Sequence, residues 1–237
     1  MIRDETVRGY LERLGSGEPT PGGGATGSVQ LALASGLISM AARFSDREDL
    51  AQRCAELADT ALELADQDEA GFGATAETFE LPEDTEDERR ERSERIQSAL
   101  RDAVKPPQQM VECARELARV AESVLADANA NVLSDVGAAL GAVRAGLTAA
   151  VVTLETNLGH LKGDEIRSAV EQDVRAAEEQ IDRVDGAGMV ALFSERPWAS
   201  VSPWCSSSAV WLTAWSGWEG SSCQCSSTTV GEAKFTS

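Results

Sequence analysis

The chain has 237 residues, with 40 Asp and Glu against 21 Lys and Arg, and a formal net charge of −19. Nucleic acids and anionic membrane surfaces attract basic patches, so we expect neither as a partner of this acidic chain. The acidic residues are spread along the chain as on halophilic proteins, with an ordinary acidic cytosolic protein as the alternative.

The first predicted element is a short amphipathic helix over residues 3–14. The N-terminal sequence MIRDETVRGY is charged from Arg3 onward, unlike a signal peptide, so we expect a cytoplasmic protein. Residues 19–28, PTPGGGATGS, then place prolines and three glycines before an uncharged segment. Glycines that enter a helix expose backbone N–H groups, which suits an anion or an electron-rich ring edge.

An uncharged helix is predicted for residues 25–44. Its first 18 residues just reach the length of a membrane span, but they are mostly Ala, Gly, Ser, Thr and Gln. This composition favours a core helix that packs closely against its neighbours over a transmembrane helix.

The next predicted helix, residues 46–79, has one apolar stripe. The stripe consists of Leu50, Cys54, Leu57, Ala61, Leu64 and Phe72. At helical spacing Asp68 falls on this stripe, whereas Asp66 and Glu69 point elsewhere. A carboxylate on a buried face costs several kcal/mol unless it is paired or functional, so Asp68 is a candidate site residue. The alternatives are a structural hydrogen bond or an apolar stripe that has already ended.

The remaining segments are helical as well. Leu81-Pro82 ends the third helix, an acidic run begins a helix that reaches about residue 104, and Pro106-Pro107 begins another that reaches about residue 126. Residues 132–159 are nearly uncharged. The final helix, residues 164–184, has an apolar face made by Ile166, Val170, Val174, Ala177, Ile181 and Val184. No segment alternates as a strand does, so we predict an all-α helical bundle with two buried central helices rich in small residues.

A second group of candidate residues lies in NVLSDVG, residues 131–137. Asn131, Ser134 and Asp135 share one face where the second uncharged helix begins. Either Asn131 or Ser134 alone would suffice as a helix cap, and a cap does not require Asp135. The cluster is therefore either a site or a cap.

The cysteines and the single histidine do not form a metal-ligand pattern. Cys54 and Cys113 occur singly in helical segments, as small buried apolar residues do. Cys223-Gln-Cys225 has no matching pair, so we predict neither a zinc site nor a disulfide framework. We interpret His160 as a helix-end residue and expect no metal.

The composition changes abruptly after about residue 190. All five tryptophans, three of the five cysteines and several serine runs follow, without a helical or strand period. We therefore divide the chain into a helical domain, residues 1–186, and an atypical Trp/Ser/Cys-rich tail, residues 187–237. We expect the tail to be frameshifted or disordered, with a small Trp-containing accessory module as the alternative.

Five spaced motifs within residues 3–185 resemble the cyclodeaminase/cyclohydrolase family of folate enzymes, including the C-terminal domain of formiminotransferase-cyclodeaminase. The motifs are PTPGGG at 19–24, DQDEAGF at 66–72, LPEDTEDERR at 81–90, NVLSDVG at 131–137 and NLGHLKGD at 157–164. The chain departs from the family pattern at Ala25, Arg43, Glu80 and Thr153.

The resemblance implies an α-helical homodimer that binds a tetrahydrofolate derivative in a cleft near the subunit interface. It implies hydrolysis of 5,10-methenyltetrahydrofolate to the 10-formyl form, which is our main prediction, or loss of ammonia from the formimino form. A non-catalytic helical interaction module is the third hypothesis. Asp68 and Asp135 are the predicted catalytic carboxylates, one stabilising the amidinium-like cation and one transferring a proton. The predicted substrate-binding residues are Pro21, Gly22, Gly23, Gly24, Asn131 and Ser134.

Overall fold

The computed structural model describes residues 1–126, 129–161, 168, 171–172, 174–176, 178–183 and 186, and within these residues it contains helices and no strand. Six α-helices follow one another between residues 7 and 159. They are α1 (Val7–Leu14), α2 (Gly23–Phe44), α3 (Glu48–Phe79), α4 (Glu86–Ala103), α5 (Lys105–Ala126) and α6 (Leu133–Gly159). The predicted all-α bundle is confirmed, and the predicted boundaries of α2 to α6 lie within a few residues of the observed ones.

The two uncharged helices, α2 and α6, pack against each other with little space between their backbones. A Cβ added at Gly27 would lie 2.5 Å from the Cβ of Ala149, and one at Gly146 would lie 2.7 Å from the Cγ of Leu31. Asn129, just before α6, donates its backbone N–H to the Ser45 hydroxyl at the end of α2, so the two helices are antiparallel. The small residues therefore permit close packing, as the sequence indicates.

Both α2 and α6 are long and apolar enough to cross a membrane by length and composition alone. In this fold they instead supply much of the core: Leu31 and Ile38 of α2 and Leu140 and Leu154 of α6 are buried with apolar residues of α3 and α5. Such helices are expected at the centre of a helical protein, where no polar face is needed.

The helix α3 is antiparallel to α2 and extends beyond its start. At one end the Ser39 hydroxyl donates to the carbonyl of Ala51, 3.1 Å away, and at the other end Asp68 contacts Gly24. From Asp68, α3 continues to Phe79, and the chain then returns as α4. A capping box begins α4, with the Thr85 hydroxyl accepting from the Glu88 N–H and the Glu88 carboxylate accepting from the Thr85 N–H.

Cys54 and Cys113 are buried free thiols, as predicted, and burial raises their pKa values to about 11 and about 12. His160 is the C-cap residue of α6, which confirms its interpretation as a helix-end residue. Of the apolar face predicted for residues 164–184, Val174 and Ile181 are described and helical, and Ile181 is buried. The other members of that face lie outside the described residues, as does the tail, residues 187–237.

Candidate active site

The carboxylate of Asp68 lies against the first turn of α2. A Cβ built on Gly24 would lie only 2.6 Å from the Cγ of Asp68, so the glycine leaves the space that the carboxylate occupies. The backbone N–H of Ala25 donates a hydrogen bond to this carboxylate. The N-cap residue, Gly22, has no side chain to offer, and the Asp68 carboxylate of α3 lies against this first turn of α2.

The electrostatic environment disfavours ionisation of Asp68. Burial raises its pKa, the negative charge of Glu69 adds to that increase, and the hydrogen bond from Ala25 opposes it. Among the residues that the structure describes, no basic side chain contributes to this pKa. Asp68 is thus a desolvated carboxylate, and none of the described side chains gives it a cationic partner.

The acids on either side of Asp68 are paired, and this sets Asp68 apart. Asp66 accepts hydrogen bonds from the backbone N–H of Ile2 at 2.6 Å and from the Arg3 side chain at 2.9 Å. Glu69 forms an ion pair with Arg13 of α1. The N-terminal segment therefore pairs with the two flanking acids and not with Asp68.

The triple glycine forms the N-terminal end of α2, as its position in the sequence predicts. Pro21, after a cis peptide bond, is buried, and Gly22 has extended backbone geometry before the helix begins. The Thr26 hydroxyl donates to the Gly22 carbonyl at 2.8 Å and lies 3.0 Å from the Tyr10 hydroxyl. The sequence does not single out Tyr10 and Thr26 as neighbours of the glycines, since their hydroxyl–hydroxyl contact depends on how α1 packs on α2.

An open groove of about 590 Å³ lies between α2 and α6 beside the same glycines. It faces the α6 side of α2, whereas Asp68 lies against Gly24 on the α3 side. The groove is lined by small, aliphatic, hydroxyl-bearing and amide side chains, none of them charged: Leu14, Gly22, Gly23, Thr26, Gly27, Gln30, Ala145, Thr148, Ala149, Val152 and Thr153.

The second predicted group lies at the start of α6. Asn131 and Ser134 are exposed and Asp135 is half-buried. The N-cap residue of α6 is Val132, without a side-chain cap, so neither Asn131 nor Ser134 caps this helix. Asn129 instead accepts the backbone N–H of Asn131 at 3.0 Å.

Within one chain the structure does not bring Asp135 to Asp68. Because α2 and α6 are antiparallel, Asp135 lies level with the C-terminal third of α2, near Met40, whereas Asp68 contacts Gly24. At 1.5 Å per residue, these two levels are roughly 24 Å apart along α2. Asn131 and Ser134 share the position of Asp135, so a single chain separates the predicted residues into two groups.

Within residues 1–126, 129–161 and the shorter described segments, no three His, Cys, Asp or Glu side chains are placed to hold a metal ion. The chemistry available at Asp68 is that of a carboxylate: it can stabilise a cation or exchange a proton.

The family model described as formiminotransferase-cyclodeaminase matches residues 6–176. The chain belongs to this family. Among its relatives, a methenyltetrahydrofolate cyclohydrolase of Methylorubrum extorquens is 29% identical over 189 residues, which cover 75% of this chain and 89% of that protein. A formimidoyltransferase-cyclodeaminase of Mus musculus is 28% identical over 178 residues, 69% of this chain. The chain spans about a third of the mouse protein, since the match covers 32% of it.

A solved structure has the same fold. A formiminotetrahydrofolate cyclodeaminase from Thermotoga maritima superimposes with a TM-score of 0.72, covering 82% of this chain and 98% of that chain at 22% identity. The resemblance stated from the sequence motifs is thereby confirmed at the level of family and fold.

Proposed function

We propose that this family member is a one-carbon folate enzyme that hydrolyses 5,10-methenyltetrahydrofolate to 10-formyltetrahydrofolate. Its match to the cyclohydrolase of M. extorquens covers nearly the whole of that protein. Its match to the mouse formimidoyltransferase-cyclodeaminase covers only a third of that protein. The observation that carries the proposal is Asp68, which lies at the glycine-rich start of α2 as a desolvated carboxylate without a cationic partner in the described part of the chain.

The charge of the substrate suits this carboxylate. The methenyl bridge is an amidinium-like cation, and an ionised carboxylate in apolar surroundings stabilises such a cation more strongly than water does. Burial raises the pKa of Asp68, which makes the ionised group a better base than an exposed aspartate.

The hydrolysis then proceeds in two steps. Water adds to the methenyl carbon and gives one proton to Asp68, forming a neutral hydroxy adduct. The carbon–N5 bond of this adduct breaks as its hydroxyl becomes the formyl C=O on N10. N5 takes up one proton, and overall one proton is released for each substrate cation hydrolysed. The backbone N–H groups in the first turn of α2 lie beside Asp68 and would orient an electron-rich edge of the pteridine.

A homodimer would bring the second predicted group, Asn131, Ser134 and Asp135, to the Asp68 site. The helices α2 and α6 expose Leu33 and Val152 on surfaces that carry few charges, whereas the acidic remainder of the chain would repel a second copy. In an isologous dimer each copy contacts the same surface of the other. Such a dimer supports a site that combines Asp68 of one copy with Asn131, Ser134 and Asp135 of the second.

The second candidate function is release of ammonia from the formimino form, as the names of the mouse and T. maritima relatives suggest. Asp68 would then stabilise the same cation as it forms, and a proton would be given to the departing nitrogen. A helical interaction module without catalysis is the third. Independence from metal, a cytoplasmic location and halophily stay predictions.

Parallel assays of the full chain at high salt distinguish these functions. We expect faster loss of the methenyl chromophore than in buffer alone, and no ammonia from 5-formiminotetrahydrofolate. Ammonia release with little hydrolysis would favour the cyclodeaminase, and inactivity on both substrates would favour the interaction module.

A further inference from the structure

The helix α3 extends beyond the start of α2, and this leaves one of its faces uncovered. The contacts of Ser39 with Ala51 and of Gly24 with Asp68 set the antiparallel register of the two helices. Beyond Asp68, α3 continues to Phe79, which is roughly 16 Å of further helix at 1.5 Å per residue. The face that packs on α2 therefore continues into this overhang, where α2 is absent.

The uncovered face bears two phenylalanines. With 3.6 residues per turn, Phe72 and Phe79 lie within about 40° of Asp68 around the helix axis. Leu57 and Leu64 occupy the same face one to three turns earlier, and both are buried. In contrast, Phe72 is 51% exposed and Phe79 is 49% exposed.

The hairpin formed by α3 and α4 holds this face in place. The returning helix α4 packs against another side of α3, where a Cβ on Gly71 would lie 3.8 Å from the Cα of Ala103. Arg92 of α4 donates to the carbonyl of Phe79 at 2.9 Å and pairs with Glu83 at 2.6 Å. The two rings thus stand on a braced helix, roughly 6 Å and 16 Å beyond Asp68 along its axis.

We propose that Phe72 and Phe79 form an aromatic shelf on which a flat ring system of the folate stacks; this inference rests on the proposed function. The substrate carries a delocalised positive charge between two flat rings, the pteridine and the aminobenzoyl group. Aromatic faces attract both flat rings and delocalised cations. Asp68, at the inner end of the shelf, supplies the opposite charge, and the shelf is continuous with the candidate site.

The test is steady-state hydrolysis of 5,10-methenyltetrahydrofolate by the full chain with Phe72→Ala, Phe79→Ala or Phe72→Tyr. Each alanine variant is expected to raise KM on the order of tenfold with little change in kcat, as loss of one stacked ring does in single-strand recognition. Phe72→Tyr keeps the ring and is expected to keep the wild-type KM. Glu77→Ala truncates an exposed side chain on the opposite face of the same overhang and is expected to change neither constant.

The results separate the shelf from the function on which it rests. An active wild-type enzyme with an unchanged KM in both alanine variants would overturn the shelf alone. Equal KM increases in Phe72→Ala and Phe72→Tyr would also overturn it, because stacking requires only the ring. A wild-type chain that is inactive on both folates would remove the proposed function, and the shelf with it. Melting temperatures of all variants establish that each is folded.

Discussion

The carboxylate of Asp68 occupies the space that a side chain on residue 24 would need. A Cβ on Gly24 would lie 2.6 Å from the Cγ of Asp68, inside van der Waals contact. The glycine is therefore required for a close approach, since its position in the first turn of α2 does not demand unusual backbone angles. This pair links PTPGGG to DQDEAGF, two motifs that lie far apart in the sequence.

Gly24→Ala is expected to displace the Asp68 carboxylate and to lower kcat/KM about 10-fold to 100-fold, because small misplacements of a reacting group are costly. The fold should survive, since the clash involves the movable end of a side chain. Gly36→Ala is the matched control: it lies on the same helix, its added Cβ meets nothing within 4 Å, and we expect wild-type activity. Equal activity of the Gly24 and Gly36 variants would show that the close approach is not needed.

The sequence predicted Asp68 because a carboxylate on an apolar stripe is an exception that helical periodicity exposes. Its contact with Gly24 could not be predicted, since it depends on the register between α2 and α3. The same limit applies to Phe72. Periodicity assigns it to the buried stripe, but α2 starts opposite Asp68 and does not extend along α3 as far as Phe72. The expectation that Asp135 joins Asp68 in one cleft depended on helix direction, and the antiparallel pairing of α2 and α6 separates them within one chain.

The effect of Asp68 on stability has a defined sign. Its pKa is raised in the folded state, so the folded chain binds more protons than the unfolded chain between the two pKa values. Stability is therefore greatest below the unfolded pKa of about 4 and falls as the pH rises through the folded value. Asp68→Asn removes this effect, and its amide oxygen can still accept the Ala25 N–H.

We thus expect the melting temperature of Asp68→Asn at pH 7 to equal or exceed that of the wild type, with the difference vanishing in acid. Thermal unfolding followed by circular dichroism from pH 4 to 8 measures it. A decrease of several degrees at pH 7 would instead identify Asp68 as a structural helix cap.

The close packing of α2 on α6 predicts a stability loss from one methyl group. In Gly146→Ala the new Cβ would lie 2.7 Å from the Cγ of Leu31 and 2.9 Å from the Gly27 carbonyl. We expect a loss of about 1–3 kcal/mol of unfolding free energy from overpacking. Gly141→Ala on the same helix meets nothing within 4 Å and should be neutral or stabilising. Urea unfolding compares the two, and equal stabilities would contradict the packing found here.

Complementation tests whether the two groups of site residues meet across a dimer. Asp68→Asn and Asp135→Asn should each be nearly inactive alone. After unfolding and refolding together at equal amounts, about a quarter of the wild-type sites would be intact, since half of the dimers are mixed and each has one complete site. Recovery of activity near that level is expected. If the mixture stays as inactive as its components, the shared site is wrong.

The most direct measurement is the rate at which the wild type and Asp68→Asn remove the methenyl chromophore under identical conditions at high salt. We predict that the wild type accelerates hydrolysis over buffer and that Asp68→Asn, with an unchanged fold by circular dichroism, lowers kcat by about 10²–10⁴-fold. A folded Asp68→Asn variant that keeps the full wild-type rate would contradict the assignment of Asp68 as the catalytic carboxylate.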